Sequence, residues 1–324
     1  MSGMNEFLNN IPEFDFEEVF VIPWSEFGDS FIWIFLMGFF VTATCGMLGS
    51  FIVWRRMALV GDAISHSVLP GIVIAFLVTQ SRDTMPMFIG ALSAGVLTTV
   101  LIEFIHSRSR VKTDAALGIV FTTLFAIGVV LVSIYGENVD LDTDCVLYGE
   151  IEYVSEDTQV ASGPLAGVPL QVARMGLVAV AVLLLMIVFY RQLLVCSFDP
   201  GMAQSMGVSP AVVHHGLMIL LSIAVVSAFE AVGAVLVISM LIFPATTASM
   251  LSDRMPVIMG LTVLIAALTS FFGMHLALWL DVSTAGAMSV VVSFWFGLAW
   301  VFSPRRGLLA RVMKKKVDLF AEQN

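Results

Sequence analysis

Nine apolar runs, each close to the thickness of a bilayer, leave this chain little choice of architecture. They fall at about 31–53, 58–79, 86–105, 115–135, 172–190, 211–229, 231–250, 256–280 and 284–302. A membrane-spanning helix needs about 20 predominantly apolar residues. Only 12% of the 324 residues are charged, where soluble domains carry about 25%. The mean hydropathy is +0.97. The pattern predicts an all-α polytopic membrane protein of about eight or nine transmembrane helices, with no length left for a soluble catalytic domain. The least marked boundary is the one between the sixth and seventh runs, where only Phe229 and Glu230 interrupt about 40 apolar residues.

Charge orients the spans. Cytoplasmic loops of membrane proteins are rich in Lys and Arg. Arg55 and Arg56 follow the first run, Arg108, Arg110 and Lys112 the third, Arg191 the fifth and Arg254 the seventh. Arg305, Arg306, Arg311 and Lys314 to Lys316 follow the ninth. An external N-terminus and a cytoplasmic C-terminus put 13 of the 15 basic residues inside, with Arg82 and Arg174 as exceptions. The acidic stretches then face outwards. Residues 1–30 form an acidic tail with seven carboxylates and no base, and 136–171 form a loop with eight carboxylates and no base. That loop either is merely solvated or raises the local cation concentration and docks a partner. Leu147 to Ile151 begin a short element near the outer surface. A single transmembrane domain spans 31–302, with a basic cytoplasmic tail at 303–324. No basic n-region of a cleavable signal precedes the first run. Cys45, Cys145 and Cys196 are too scattered for a disulfide framework.

Residues 61–71 hold the chemistry. Asp62 and His66 are four apart, which on a helix places them on one face. Pro70 has no N–H for the carbonyl of His66, so the ladder breaks there. A carboxylate, an imidazole and a freed carbonyl are ligand types for a divalent transition metal. The same spacing also fits a helix-start cap, with Asp62 near the N-terminus. The proline shifts the balance, because a broken helix exposes oxygens to an ion.

A second feature is the loop 198–208. Asp199 is an N-cap residue type, Pro200 suits the first helical position and Gly207 is a natural C-cap. Phe198 precedes this unit and Ala203 lies inside it. A short helix bounded at both ends is a rigid peg on which a partner can push, or an interfacial helix with none. Of the remaining polar residues, Glu230 is a pore group or an interfacial acid. His275 reads as packed or interfacial, and His214 and His215 as interfacial. Pro244 kinks the seventh span. The 19 methionines read as core filling. Small residues four apart, Gly71/Ala75 and Gly90/Ala94, allow close helix approach. The chain has no P-loop signature, no HExxH and no GxSxG.

Taken together, four stretches resemble the ABC-3 family of permeases, the membrane subunits of bacterial ABC importers for manganese, zinc and iron. They are Leu48 to Met57 leading into 61–71, the loop 198–208, Val232 to Val237 running to Phe243–Ala248, and Leu280-Asp281. The resemblance implies a permease in the bacterial inner membrane, itself without enzymatic activity. It implies a like or unlike second permease chain, a cytoplasmic ATPase and an extracellular or periplasmic metal-binding protein. Lipid surrounds it, and nucleic acid is no partner. Asp62 and His66 would coordinate the transported ion, and Phe198, Asp199, Pro200, Ala203 and Gly207 would belong to the ATPase-coupling helix. No covalently bound cofactor is implied. Two other arrangements use the same residues. An ion-coupled secondary transporter needs intramembrane acids along a coupling path, for which only Glu230 offers itself. A membrane-embedded metalloenzyme needs a third ligand and a general base.

Overall fold

A hydrocarbon interior forces backbone N–H and C=O groups to pair within helices or closed barrels. The computed structural model describes residues 12, 14–80, 84–135, 149, 151–156, 167–303 and 307–310, and every regular element among them is a helix. A π-helical turn, Glu17–Val21, leads into α1 (Ile22–Glu26). The bundle then comprises α2 (Gly28–Trp54), α3 (Val60–Ser67), α4 (Leu69–Thr79), α5 (Thr84–Arg108) and α6 (Thr113–Tyr135). After a 3-10 turn, Ile151–Glu156, come α7 (Leu170–Val188), α8 (Tyr190–Phe198), α9 (Pro200–Ser205) and α10 (Pro210–Val232). It closes with α11 (Ala234–Leu251), α12 (Met255–Leu280) and α13 (Thr284–Phe302). Among the described residues eight spans are long and apolar enough to cross a membrane, α3 and α4 together forming one of them. The apolar part of α11, Leu236–Leu251, is a shorter ninth helix, so the expected eight or nine spans are present.

The weak boundary between the sixth and seventh runs lies elsewhere than expected. Helix α10 runs through Phe229 and ends at Gly233, whose φ of +76° is a conformation that glycine adopts without a steric penalty. The interruption by Phe229 and Glu230 was a change of polarity, whereas the backbone turns where a side chain is missing.

Helix α2 is the axis of the bundle, packing on α11, α12, α7, α10 and the 3-10 turn. Met37, Val41, Cys45, Leu48, Phe51 and Ile52 are almost wholly buried along it. Gly49 sits against the backbone carbonyl of Leu241, where any Cβ would collide. Pro244 lies inside α11 and packs beside Gly46. Many methionines fill this core, among them Met37, Met175, Met186, Met240 and Met288.

The acidic N-terminal segment is folded in part. Phe20 and Trp24 stack on His275 of α12, and the indole N–H of Trp24 donates to His275 Nε2 at 3.0 Å. His275 Nδ1 in turn faces the Phe271 carbonyl at 2.7 Å, so this buried histidine is packed and fully partnered. Of the short element expected from Leu147 to Ile151, residues 147, 148 and 150 lie outside the described residues; from Ile151 a 3-10 turn wedges into the end of the bundle. Ile151 and Val154 are 2% and 1% exposed, and the Glu152 carboxylate accepts from the Thr284 N–H at the start of α13. Residues 136–148, 150 and 157–166, Cys145 among them, and 304–306 and 311–324 of the basic tail lie outside the described residues.

The small-residue spacing has a direct structural outcome. Gly71 of α4 and Gly90 of α5 face each other so closely that a Cβ on either would strike the other's carbonyl, with Ala94 and Ala75 beside them. Overpacking a filled interface costs about 1–3 kcal/mol and occasionally more. Gly90→Leu is therefore expected to lower the melting temperature of the detergent-solubilised protein sharply, while Leu at Gly216, which faces open space, leaves it unchanged.

Candidate functional site

The segment 55–70 is built by two helix terminations in succession. Helix α2 ends in a Schellman motif: Met57 N–H donates to Ile52 O at 3.1 Å and Arg56 N–H to Val53 O at 3.0 Å. Arg56 occupies the left-handed position that glycine usually fills, with φ of +58°. After this turn α3 starts at Val60 and carries Asp62 and His66 on one face. Their side chains meet, His66 Nε2 to Asp62 Oδ1, at 3.2 Å. The ladder is interrupted at Val68, and Pro70 is the second residue of α4. Val68 keeps helical dihedrals, φ −69° and ψ −31°, so the span continues in direction while losing a backbone donor. Beside the break, the Ser67 hydroxyl reaches Thr98 of α5 at 2.6 Å.

Neither member of the pair is sealed. The side chains of His66 and Asp62 are 35% and 30% exposed. The rings of Phe121 and Phe125 on α6 flank the imidazole at 6.0–6.1 Å. Among the described residues His66 Nδ1 has no hydrogen-bond partner, and no third His, Cys, Asp or Glu completes a group able to hold a metal. One carboxylate and one imidazole are two ligands of the four to six that a first-row divalent ion takes. The Asp62–His66 pair is open on its uncovered side.

The loop 198–208 folds as its residues predict. Asp199 caps α9, its Oδ1 accepting from Met202 N–H at 2.9 Å. Gly207, φ +79°, closes the helix in a Schellman motif, with Val208 N–H donating to Ala203 O and Gly207 N–H to Gln204 O, both at 3.0 Å. Ala203 is wholly buried and anchors the peg to the bundle. The outward surface consists of Phe198, Met202 and Met206, which are 54%, 54% and 61% exposed. The two methionines were not singled out from sequence. Their signal was their spacing of four around the buried Ala203. A groove beside the peg is lined by Tyr190, Leu194, Phe198, Met202 and Arg254.

A polar cluster that the sequence did not reveal lies near this peg. Arg55 Nε donates to Ser197 Oγ at 3.0 Å, and Arg55 Nη1 lies 3.3 Å from His214 Nδ1. His214 Nε2 lies 3.2 Å from Glu103 Oε2. His214, read from sequence as interfacial, thus forms tertiary bonds, while His215 is exposed, faces the Ala211 carbonyl of its own helix and sets its ring edge-on to His214. Burial pulls the Arg55 pKa below its usual value. The side chain of Glu230 lies outside the described residues.

The membrane interior tolerates a carboxylate and an imidazole chiefly where they serve transport or a relay. The fold is that of a multi-pass membrane protein, with this pair on one of its spans. Residues 29–303 match the ABC 3 transport family, and the chain belongs to it. It is 43% identical over 282 residues to the manganese transport system membrane protein MntD of Bacillus subtilis, an alignment covering 87% of this chain and 95% of that one. It is 39% identical to the zinc transport system membrane protein TroD of Treponema pallidum, with 88% and 78% covered. Among solved structures, that of PsaBC from Streptococcus pneumoniae in complex with Fab matches with a TM-score of 0.71 and 28% identity over 97% of this chain and 99% of that one. The protein is a permease of the bacterial inner membrane, not an enzyme.

An N-cap carboxylate contributes about 1 kcal/mol. Asp199→Ala is expected to speed amide exchange at Met202 and along α9 by several-fold, while Asp199→Asn retains protection. Hydrogen-exchange mass spectrometry of the peptide 199–208 reads the difference.

Proposed function

We propose that this chain is the membrane-spanning permease of an ABC importer for a divalent transition metal, manganese, zinc or iron, with ATP hydrolysed on a separate cytoplasmic subunit. The observation that supports the reading is the part-exposed Asp62–His66 pair, 3.2 Å apart on an interrupted span. A carboxylate and a neutral imidazole suit manganese, iron(II) and zinc alike, and relatives named for manganese and for zinc fall at similar identity.

The ion is cargo, so the site must bind it and release it. A second permease chain, placed against the open side, supplies another Asp and His, and four ligands then surround the ion between the chains. An external metal-binding protein delivers the ion to the outer face. The end of the bundle that gathers Arg55, Arg191 and Arg254 is the basic one, and by the charge rule it faces the cytoplasm. The capped helix 198–208 stands at that end, with Phe198, Met202 and Met206 outward. We assign it the contact with the ATPase, whose closure and opening would rock the two chains about the ion.

Loss of either ligand leaves too few donors to hold the ion in the membrane. Asp62→Ala and His66→Ala are each expected to reduce metal uptake to background while the protein still reaches the membrane and copurifies with its ATPase. Uptake of manganese, zinc and iron into cells lacking the native chain is measured by elemental analysis. Normal uptake in both variants would falsify the site assignment.

A further inference from the structure

The cluster around Arg55 lies between the docking helix and the Asp62/His66 pair, and the transport reading does not yet use it. Its members come from different elements. Glu103 is on α5, His214 on α10 and Ser197 on α8, while Arg55 caps α2. Gly95 of α5 faces both Ile64 of α3 and Ser222 of α10. Glu103 and His214 are each eight residues from that level, about 12 Å nearer the basic end at 1.5 Å per residue. They therefore lie beyond Asp62 on the side of α9.

The polarity of the chain of bonds follows from its first member. A guanidinium has donors only, so Arg55 donates to His214 Nδ1. The imidazole proton is then on Nε2 and points to the Glu103 carboxylate. Cation, neutral ring and anion are aligned in one direction, each polarising the next. Both ring nitrogens are occupied, and the positive charge of Arg55 opposes a metal ion here. The cluster is thus not a second ion site.

Its attachments suit it to carry movement. Ser197 lies two residues before the cap of α9, and α8 packs on α9. Arg55 is held by the Schellman closure of α2. Helices α5 and α10 both pack on α3, the helix of Asp62 and His66. Arg55 Nη2 is buried and meets no acceptor among the described residues. An unmet buried donor is costly, so an arrangement that supplies an acceptor is favoured once the helices shift. Transmission requires an element with two discrete arrangements.

We propose that the Ser197–Arg55–His214–Glu103 relay couples movement of the docking helix to the helices that hold the metal pair, making these four positioning residues for transport. This rests on the assignment of 198–208 to the ATPase.

The test uses the permease assembled with its ATPase and its metal-binding protein in proteoliposomes, reading metal transported per ATP hydrolysed. Coupling between sites is typically worth 5- to 150-fold. Glu103→Ala and Ser197→Ala are each expected to lower the ratio by about tenfold, within that range, with ATP hydrolysis and copurification of the ATPase retained. Glu103→Gln, which keeps an acceptor, recovers most of the loss. The double variant Glu103→Ala/Ser197→Ala is no worse than the worse single one, because both interrupt one chain. An unchanged ratio in Glu103→Ala overturns the proposal. So do losses that multiply in the double variant, or a fall in uptake matched by equal falls in hydrolysis and folded protein. If the unaltered permease fails to bind the ATPase, the docking assignment fails first, and a variant that alone loses the ATPase shows docking rather than coupling.

Discussion

Two helix backbones meet where Gly71 faces Gly90, and no side chain larger than hydrogen fits at either position. Lipid chains are as apolar as leucine, so helices in a membrane associate through close packing and interhelical hydrogen bonds rather than through the hydrophobic effect. The glycine contact supplies the packing, and the Ser67–Thr98 bond beside it supplies the polar link. Together they hold α5 to α4 and to the end of α3, on both sides of the interruption at Val68. Helix α6 packs along α3 and α4 as well. The Asp62/His66 pair occupies the turn before the break, on a helix that these contacts position.

The two ends of the bundle are built differently. At the acidic end, aromatic rings and a neutral histidine close the structure: Phe20 and Trp24 lie on His275, and the 3-10 turn wedges Ile151 and Val154 between helices. These contacts use up their polar groups. At the basic end, the relay of Arg55, His214 and Glu103 is one acceptor short. The capped helix α9 belongs to the second end, rigid through Asp199 and Gly207 and seated through Ala203.

Much of this was legible in the residues. The long apolar runs and the capping residues of 198–208 each express a local rule, and helices formed where those rules place them. The pairing of Asp62 with His66 follows from helical spacing alone. The small residues at Gly71 and Gly90 declared a close approach. What local rules missed involved partners distant in sequence. His214 looked interfacial because nothing near it in the chain is an acid, and its carboxylate, Glu103, is more than a hundred residues away. The end of α10 was misplaced because polarity at Phe229 and Glu230 was a louder signal than the backbone freedom of Gly233. Nothing before Arg55 suggested that acidic residues 17–26 would fold back onto α12.

By itself the sequence determined the number and length of the spans, the pair of ligand types on one helix face and the capped peg, because hydrophobic length, 3.6-residue periodicity and end-capping act within one segment. Only the tertiary structure decided that the pair remains part-exposed with no third His, Cys, Asp or Glu grouped with it among the described residues, that Met202 and Met206 are exposed on the peg, and that bonds through Ser197, Arg55, His214 and Glu103 join four elements near it. Those outcomes depend on which helices are neighbours, and that is set by the packing of glycines, alanines and methionines along α2, α5 and α11 rather than by any single stretch of chain.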